Sequence, residues 1–243
     1  MRLGLITLAV SMTFAMGLLS SVAQEPKQRK GEDREPINKK FEDPNMDVAE
    51  FIKRFETESR EVYAKRAEIV AACEIRPGLG VADVGAGTGL YTFLFADKVA
   101  PEGTVYAVDI APRFLKYLGE QAEKRGLAKV VKPLKGGQET TNLPPASVDL
   151  VFICDAYHHF EKPGPMLASI HAALRPGGRV VLIDFDKRPD ASAFIKGHAR
   201  AEKEVYFKEF ESAGFTKLAI ENAPALKENF IAAFRKVDRT TKP

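Results

Sequence analysis

Cysteine is scarce: Cys73 and Cys154 are the only two in 243 residues, which excludes a disulfide framework. Both fall in segments patterned as helix or strand, so buried thiols are expected. An excess of one charge sign is also missing. The 36 Lys and Arg stand against 33 Asp and Glu, a net +3, and the two signs are interleaved. No concentrated basic patch exists to hold nucleic acid or another polyanion. No internal repeat recurs, which excludes a solenoid. No His, Cys or Asp spacing matches a zinc set, and no serine sits in a strand-to-helix elbow, so neither a metal nor acyl-transfer chemistry is expected.

What is present begins with an apolar run, "LGLITLAVSMTFAMGLLS", after Met1 and Arg2. Ser21, Val22 and Ala23 then supply the small residues of a secretory cleavage site before Gln24, so residues 1–23 are expected to be a signal peptide and the protein periplasmic or secreted. The rival expectation is an uncleaved membrane anchor, since the run is near the lower length limit for crossing a bilayer. Residues 24–45, "QEPKQRKGEDREPINKKFEDPN", mix charge and proline with almost nothing apolar, and a disordered linker is expected there.

With 45% hydrophobic residues, the remaining chain can bury the core of one domain. Residues 46–74 show helical apolar spacing through Phe51, Ile52, Phe55, Val62, Ile69 and Val70, ended by Pro77 and Gly78. Beyond them β-branched runs alternate with helical segments. Strands are expected at "GVADVG", "TVYAVDI", "KVVKPL", "SVDLVFIC" and "GRVVLIDF", with helices near 89–99, 112–125, 163–174 and 200–213. That alternation predicts an α/β fold, a mostly parallel sheet with helices on both faces. "RPGG", from Arg175, reads as a loop before the fifth strand. "FTKLAIENA" and "ENFIAAFRKV" follow with a short connection, as an antiparallel pair at the sheet edge would.

The first βα junction reads "VADVGAGTGL". Gly85, Gly87 and Gly89 let the backbone approach a ligand with no Cβ in the way. A dinucleotide fingerprint needs a glycine where Leu90 stands, and a P-loop needs a lysine that is absent. Asp83, just before the glycines, suits a cationic or hydrogen-bond-donating ligand. Asp109 ends the second strand, where a carboxylate can accept both hydroxyls of a ribose, although it also stands where a helix-capping acid would. A positively charged nucleoside fits these residues best.

Together they resemble the first two motifs of the class I S-adenosylmethionine-dependent methyltransferases. "LPPASVDLVFICDAYHHF" is similar to the family's fourth-strand region and "MLASIHAALRPGGRVVLIDF" to its next helix and strand. The resemblance covers about residues 60–220 and is nearest the quinone C-methyltransferase group. It implies a Rossmann-like seven-stranded domain over 46–243, a helical lid over 46–75, and S-adenosyl-L-methionine as cofactor. Gly85, Ala86, Gly87, Thr88 and Gly89 are then expected around its methionine and ribose. Asp83 is expected to orient its amino group, Asp109 to hold the ribose, Ile110 to lie beside the adenine, and Asp155 to lie near the sulfonium. Where the family has Gly-Asp before its "LP" element this chain has "GGQET", so the adenine contact passes to Gln138 or to backbone.

The expected partner is a small-molecule methyl acceptor, met by "DAYHHF" at the sheet's carboxyl edge. His158 is the first candidate for proton removal, with Tyr157 and Asp184 as further catalytic candidates. Phe55, Arg60 and Tyr63 are expected in the lid. Two rival readings are a cofactor-binding protein without catalysis and a dinucleotide oxidoreductase, the latter disfavoured by Leu90.

Overall fold

A computed structural model describes Met1 and residues 37–237. The apolar run, the cleavage site and most of the expected linker lie outside those residues.

Three short helices, α1 (Val48–Phe55), α2 (Glu61–Ala64) and α3 (Arg66–Ala72), precede the alternating region. It runs β1 (Gly80–Val84), α4 (Leu90–Val99), β2 (Thr104–Asp109), α5 (Pro112–Lys124), β3 (Val131–Lys135), β4 (Val148–Cys154), α6 (Pro163–Ala173), β5 (Leu174–Phe185), α7 (Ala193–His198), α8 (Lys203–Ser212), β6 (Phe215–Leu218) and β7 (Asn229–Lys236). The strands order as β3-β2-β1-β4-β5-β7-β6. β1 to β5 are parallel, and β7 runs antiparallel between β5 and β6. The expected edge pair therefore exists, with β7 on its inner side.

Strand order reverses between β1 and β4, because the chain builds outward from β1 to β3 before crossing back. Such a switch point opens a crevice at the strands' carboxyl ends. Side-chain alternation then decides which core each strand residue enters. Val81, Val105, Phe152 and Ile183 pack with Phe95 and Leu118 on one face, whereas Ala82, Val84, Val151 and Ile153 pack with Leu167, Tyr206 and Phe210 on the other. Covered on both faces, β4 is apolar almost throughout. Aromatic contacts concentrate the packing, with Tyr91 and Phe152 centroids 4.6 Å apart and Phe95 and Phe152 4.9 Å apart.

Three expectations change. Residues 46–74 form three helices, because the chain turns over 56–60 to bring Arg60 onto Asp155. The linker does not extend to 45: Asn38 is buried and donates to the His159 carbonyl at 3.0 Å, and the Phe41 ring lies 5.7 Å from Phe51 and 5.5 Å from His159. One polar anchor and one aromatic are enough to dock this strap, too few to register as a hydrophobic pattern. "RPGG" lies inside β5. Leu174 pairs with Val148 and Arg179 with Leu150, so residues 175–178 bulge out between two paired positions, with Gly177 at φ +72°.

Phe152→Ala is expected to lower unfolding free energy by about 3–5 kcal/mol, since it empties the centre of a fully buried aromatic cluster. Urea denaturation of both proteins checks this.

Candidate active site

The crevice holds a cavity of about 520 Å³, within the range of small-molecule sites. One end is the glycine turn. Gly85 adopts φ +78°, and a Cβ there would stand 2.5 Å from that of Ala156. Gly89, at φ +86°, leads into α4, and its Cβ would meet Leu118 Cδ2 at 2.3 Å. Gly85 and Gly87 line the cavity, whereas Gly89 is required by packing behind it. Ala86 and Thr88 are buried and do not form its wall.

Asp109 is fixed by backbone. Its Oδ2 accepts from Gly87 N–H at 2.8 Å and its Oδ1 from Ala111 N–H at 2.8 Å. Burial pushes its carboxyl up, opposed by the Ala111, Gly87 and Ile110 amides. Ile110, Phe114 and Gln138 continue this wall, and Asn38 of the strap reaches Gln138 Oε1 at 3.4 Å.

Asp155 lines the middle of the cavity at φ +48°, a strained conformation for a residue with a Cβ. Arg60 pairs with its Oδ2 and Asn229 donates to its Oδ1. Burial raises the carboxyl to about 6 even against the Arg60 charge. Glu61 anchors the lid beside it by accepting from the amides of Lys227, Glu228 and Asn229. Phe55 and Arg60 line the cavity as expected of the lid. Tyr63 does not, and the Arg66 guanidinium covers its ring.

His158 is buried against the other end. Its Nδ1 lies 2.7 Å from Asp184 Oδ1 and its amide donates to Asp184 Oδ2. A carboxylate acceptor there fixes the proton on Nδ1, and Nε2 has no partner. Two catalytic expectations are thereby corrected. Asp184 is fully buried behind His158 and does not face the cavity. Tyr157 is also fully buried; its hydroxyl donates to Glu209 at 2.7 Å, and its ring packs on Tyr206 and Phe210. A single 3-10 turn, Tyr157–His159, follows β4 and sets His158 against the cavity while Tyr157 packs into the core. Asp83 likewise stands behind the wall, where its Oδ2 accepts from Thr92 Oγ1 at 2.6 Å. The thiols are free: Cys73 is buried and pushed up to about 12 by burial, and Cys154 is partly buried.

Several lining groups carry no local sequence signal: Phe41 and Phe51 from the strap and α1, Phe185 at the end of β5, and Phe194 and His198 on α7. Phe41, Phe185, Phe194 and His198 make the His158 end aromatic, whereas Phe51 packs on Phe114. A glycine-walled, carboxylate-bearing pocket at the switch point of a Rossmann-like sheet defines a nucleoside-binding α/β domain.

Comparison with known proteins narrows this class. The methyltransferase domain family matches residues 82–182. A ubiquinone/menaquinone biosynthesis C-methyltransferase, UbiE, of Burkholderia cenocepacia is 30% identical over 124 residues, 51% of this chain and 50% of that protein. The chain spans about half the length of the curated relatives it matches. The crystal structure of a SAM-dependent methyltransferase from Aquifex aeolicus superposes with TM-score 0.66 at 24% identity, covering 79% of this chain and 99% of that one. The [4+2]-cyclase SpnF shares the fold at TM-score 0.57 and 20% identity, over 65% of this chain and 60% of its own. Residues 82–182 thus carry a methyltransferase domain, on the fold seen in S-adenosylmethionine-dependent methyltransferases.

Burial raises Asp83 to about 7, opposed by the Thr92 hydroxyl. An acid whose folded pKa lies above its unfolded value stabilises the fold below about pH 4 and loses that contribution as pH rises through about 7. Asp83→Asn keeps an acceptor for Thr92 but cannot titrate. Wild type is therefore expected to lose stability relative to the variant, by about 4 kcal/mol at most, between about pH 4.5 and 7.5. Parallel urea titrations at the two pH values read the difference, and equal changes in both proteins would contradict the assignment.

Proposed function

We propose that the protein transfers the methyl group of S-adenosylmethionine to a small, planar acceptor seated at the aromatic end of the cavity. The observation that carries this reading is the shape of one cavity, with a side-chain-free turn and the amide-held Asp109 at one end and the unpartnered His158 Nε2 at the other. The methyltransferase-domain match over residues 82–182 supports the cofactor. The name of the quinone C-methyltransferase relatives supports a ring-shaped acceptor.

Each oxygen of Asp109 already accepts one amide and keeps a lone pair for a ribose hydroxyl. Gly85 and Gly87 admit the nucleoside at van der Waals distance from backbone. Ile110 and Phe114 give the adenine an apolar wall, and Gln138 offers its amide to the base edge. Asp155 places a carboxylate near the cationic centre, with Arg60 closing over it from the lid. When bound, S-adenosylmethionine supplies a methyl group on a sulfonium leaving group. The chain's own work is to align the acceptor and exclude water, effects worth about 7–11 kcal/mol in favourable cases. Where the acceptor carries a proton, His158 Nε2 takes it, and Asp184 stabilises the imidazolium through Nδ1.

The fold alone does not fix the reaction, as the [4+2]-cyclase with the same architecture illustrates. A pocket that binds the nucleoside without methyl transfer is therefore the second reading. Calorimetric titration with S-adenosylhomocysteine and a methyl-release assay on small phenols and quinols separate the two. Asp109→Ala is expected to weaken S-adenosylhomocysteine binding by about 100-fold or more, the value of two charge-assisted hydrogen bonds. Wild-type affinity in that variant would remove the ribose assignment. His158→Ala is expected to keep the affinity and lower turnover about 10²- to 10⁴-fold. Tight S-adenosylhomocysteine binding with no turnover on the acceptor panel would favour the second reading.

A further inference from the structure

We propose that His158, His159 and His198 form a site for one first-row divalent cation, zinc above all, at the acceptor end of the cavity. The three side chains each offer a ring nitrogen, and the three atoms lie within 4.8 Å of one another. Points no farther apart than that lie within about 2.8 Å of a common centre. Each nitrogen therefore needs to travel about 0.7 Å to reach a zinc–nitrogen length of about 2.0–2.1 Å, which small rotations of the rings supply. All three residues line the cavity, so a fourth coordination position opens into it.

Two further observations point to a ligand. Nε2 of His158 and Nδ1 of His159 are buried with no hydrogen-bond partner, although a polar atom so placed ordinarily has one. One shared cation would satisfy both. The Asp184 contact on Nδ1 of His158 is the carboxylate–histidine arrangement that orients a metal-binding imidazole and makes it a stronger donor. Asp184 is thus a positioning residue for the cation. Lys40 is the nearby positive group that opposes a cation, and the buried Asp184 is the negative one that favours it. No zinc motif was legible in the sequence because His198 lies 40 residues after His158 (198 − 158) and on another element. Zinc would occupy the same Nε2 lone pair of His158 that otherwise accepts a proton, so the metal-loaded and proton-accepting states of His158 exclude one another, whereas nucleoside binding does not depend on the site.

The test uses the untagged full chain, stripped with a chelator and dialysed against zinc. Elemental analysis is expected to find one equivalent retained. Competition with a chromophoric chelator is expected to show His198→Ala binding zinc at least about 100-fold more weakly and Asp184→Asn about 10- to 100-fold more weakly. His159→Gln gives a second ligand-deficient variant, and thermal melting establishes that each variant is folded. Cobalt in place of zinc is expected to give visible d–d bands that His198→Ala loses. Less than a tenth of an equivalent retained by wild type, or equal zinc affinity in wild type and both ligand variants, would overturn the site. S-adenosylhomocysteine titration of the same samples reads the cofactor half separately. Protein that binds the nucleoside but not zinc rejects this inference alone, and protein that binds zinc but not the nucleoside supports it while rejecting the methyl-transfer reading.

Discussion

The carboxylate of Asp109 joins the glycine turn after β1 to the start of α5 through two amide hydrogen bonds, both 2.8 Å long. Without that link the turn would have no partner for Gly87 N–H on its cavity side. The carboxylate's position in turn depends on the β1–β2 register, in which Val84 lies opposite Val108 and Gly85 N–H donates to the Val108 carbonyl. Sheet register, turn and acid are therefore one mechanical unit. A slip of one residue would turn Asp109 to the opposite face and close the pocket.

The opposite end is built by longer-range packing. The strap sets Asn38 and Phe41 against His159, α7 brings Phe194 and His198, and α1 reaches back over the nucleoside end, with Phe51 on Phe114 and Phe55 over Gly87. None of these belongs to the sheet. The scaffold thus presents a nucleoside end fixed by backbone geometry and an aromatic end assembled from appended segments, where the shape of the partner can change while the sheet stays the same. Glu61, with three amides on its carboxylate, ties the appended helices to β7 beside the strained Asp155.

This division also explains what the sequence made legible. The strands and α4, α5, α6 and α8 follow local periodicity, and they were expected within a few residues. Gly85, Gly87 and Asp109 were legible because a glycine-rich turn and a strand-ending acid each have a local backbone cause. Asp184 and Tyr157 stand behind the wall for reasons the sequence does not display: at the end of β5 it is Phe185 that faces the pocket and Asp184 that does not, and a 3-10 turn after β4 sends Tyr157 into the core. Asp83 was placed one layer too close, since Thr92 captures it from α4. The strap and His198 left no trace because single residues, brought together from 38, 41, 158, 159 and 198, carry no period.

The two carboxylates at the glycine turn and β4 favour a cationic group beside them. Asp109 and Asp155 are both buried and both raised, and in each case desolvation outweighs the hydrogen bonds or charge that oppose it. Burial raises the Asp155 carboxyl while the Arg60 guanidinium beside it acts in the opposite sense. A pyrophosphate beside Asp109 and Asp155 would set like charges against each other, at a cost that grows as water leaves. A sulfonium nucleoside reverses that sign and favours ionisation of the carboxylates that burial opposes. The missing glycine at Leu90 and the missing P-loop lysine point the same way. The two carboxylates and the backbone shape weigh against phosphate-bearing ligands for separate reasons, and a compact, positively charged nucleoside meets both.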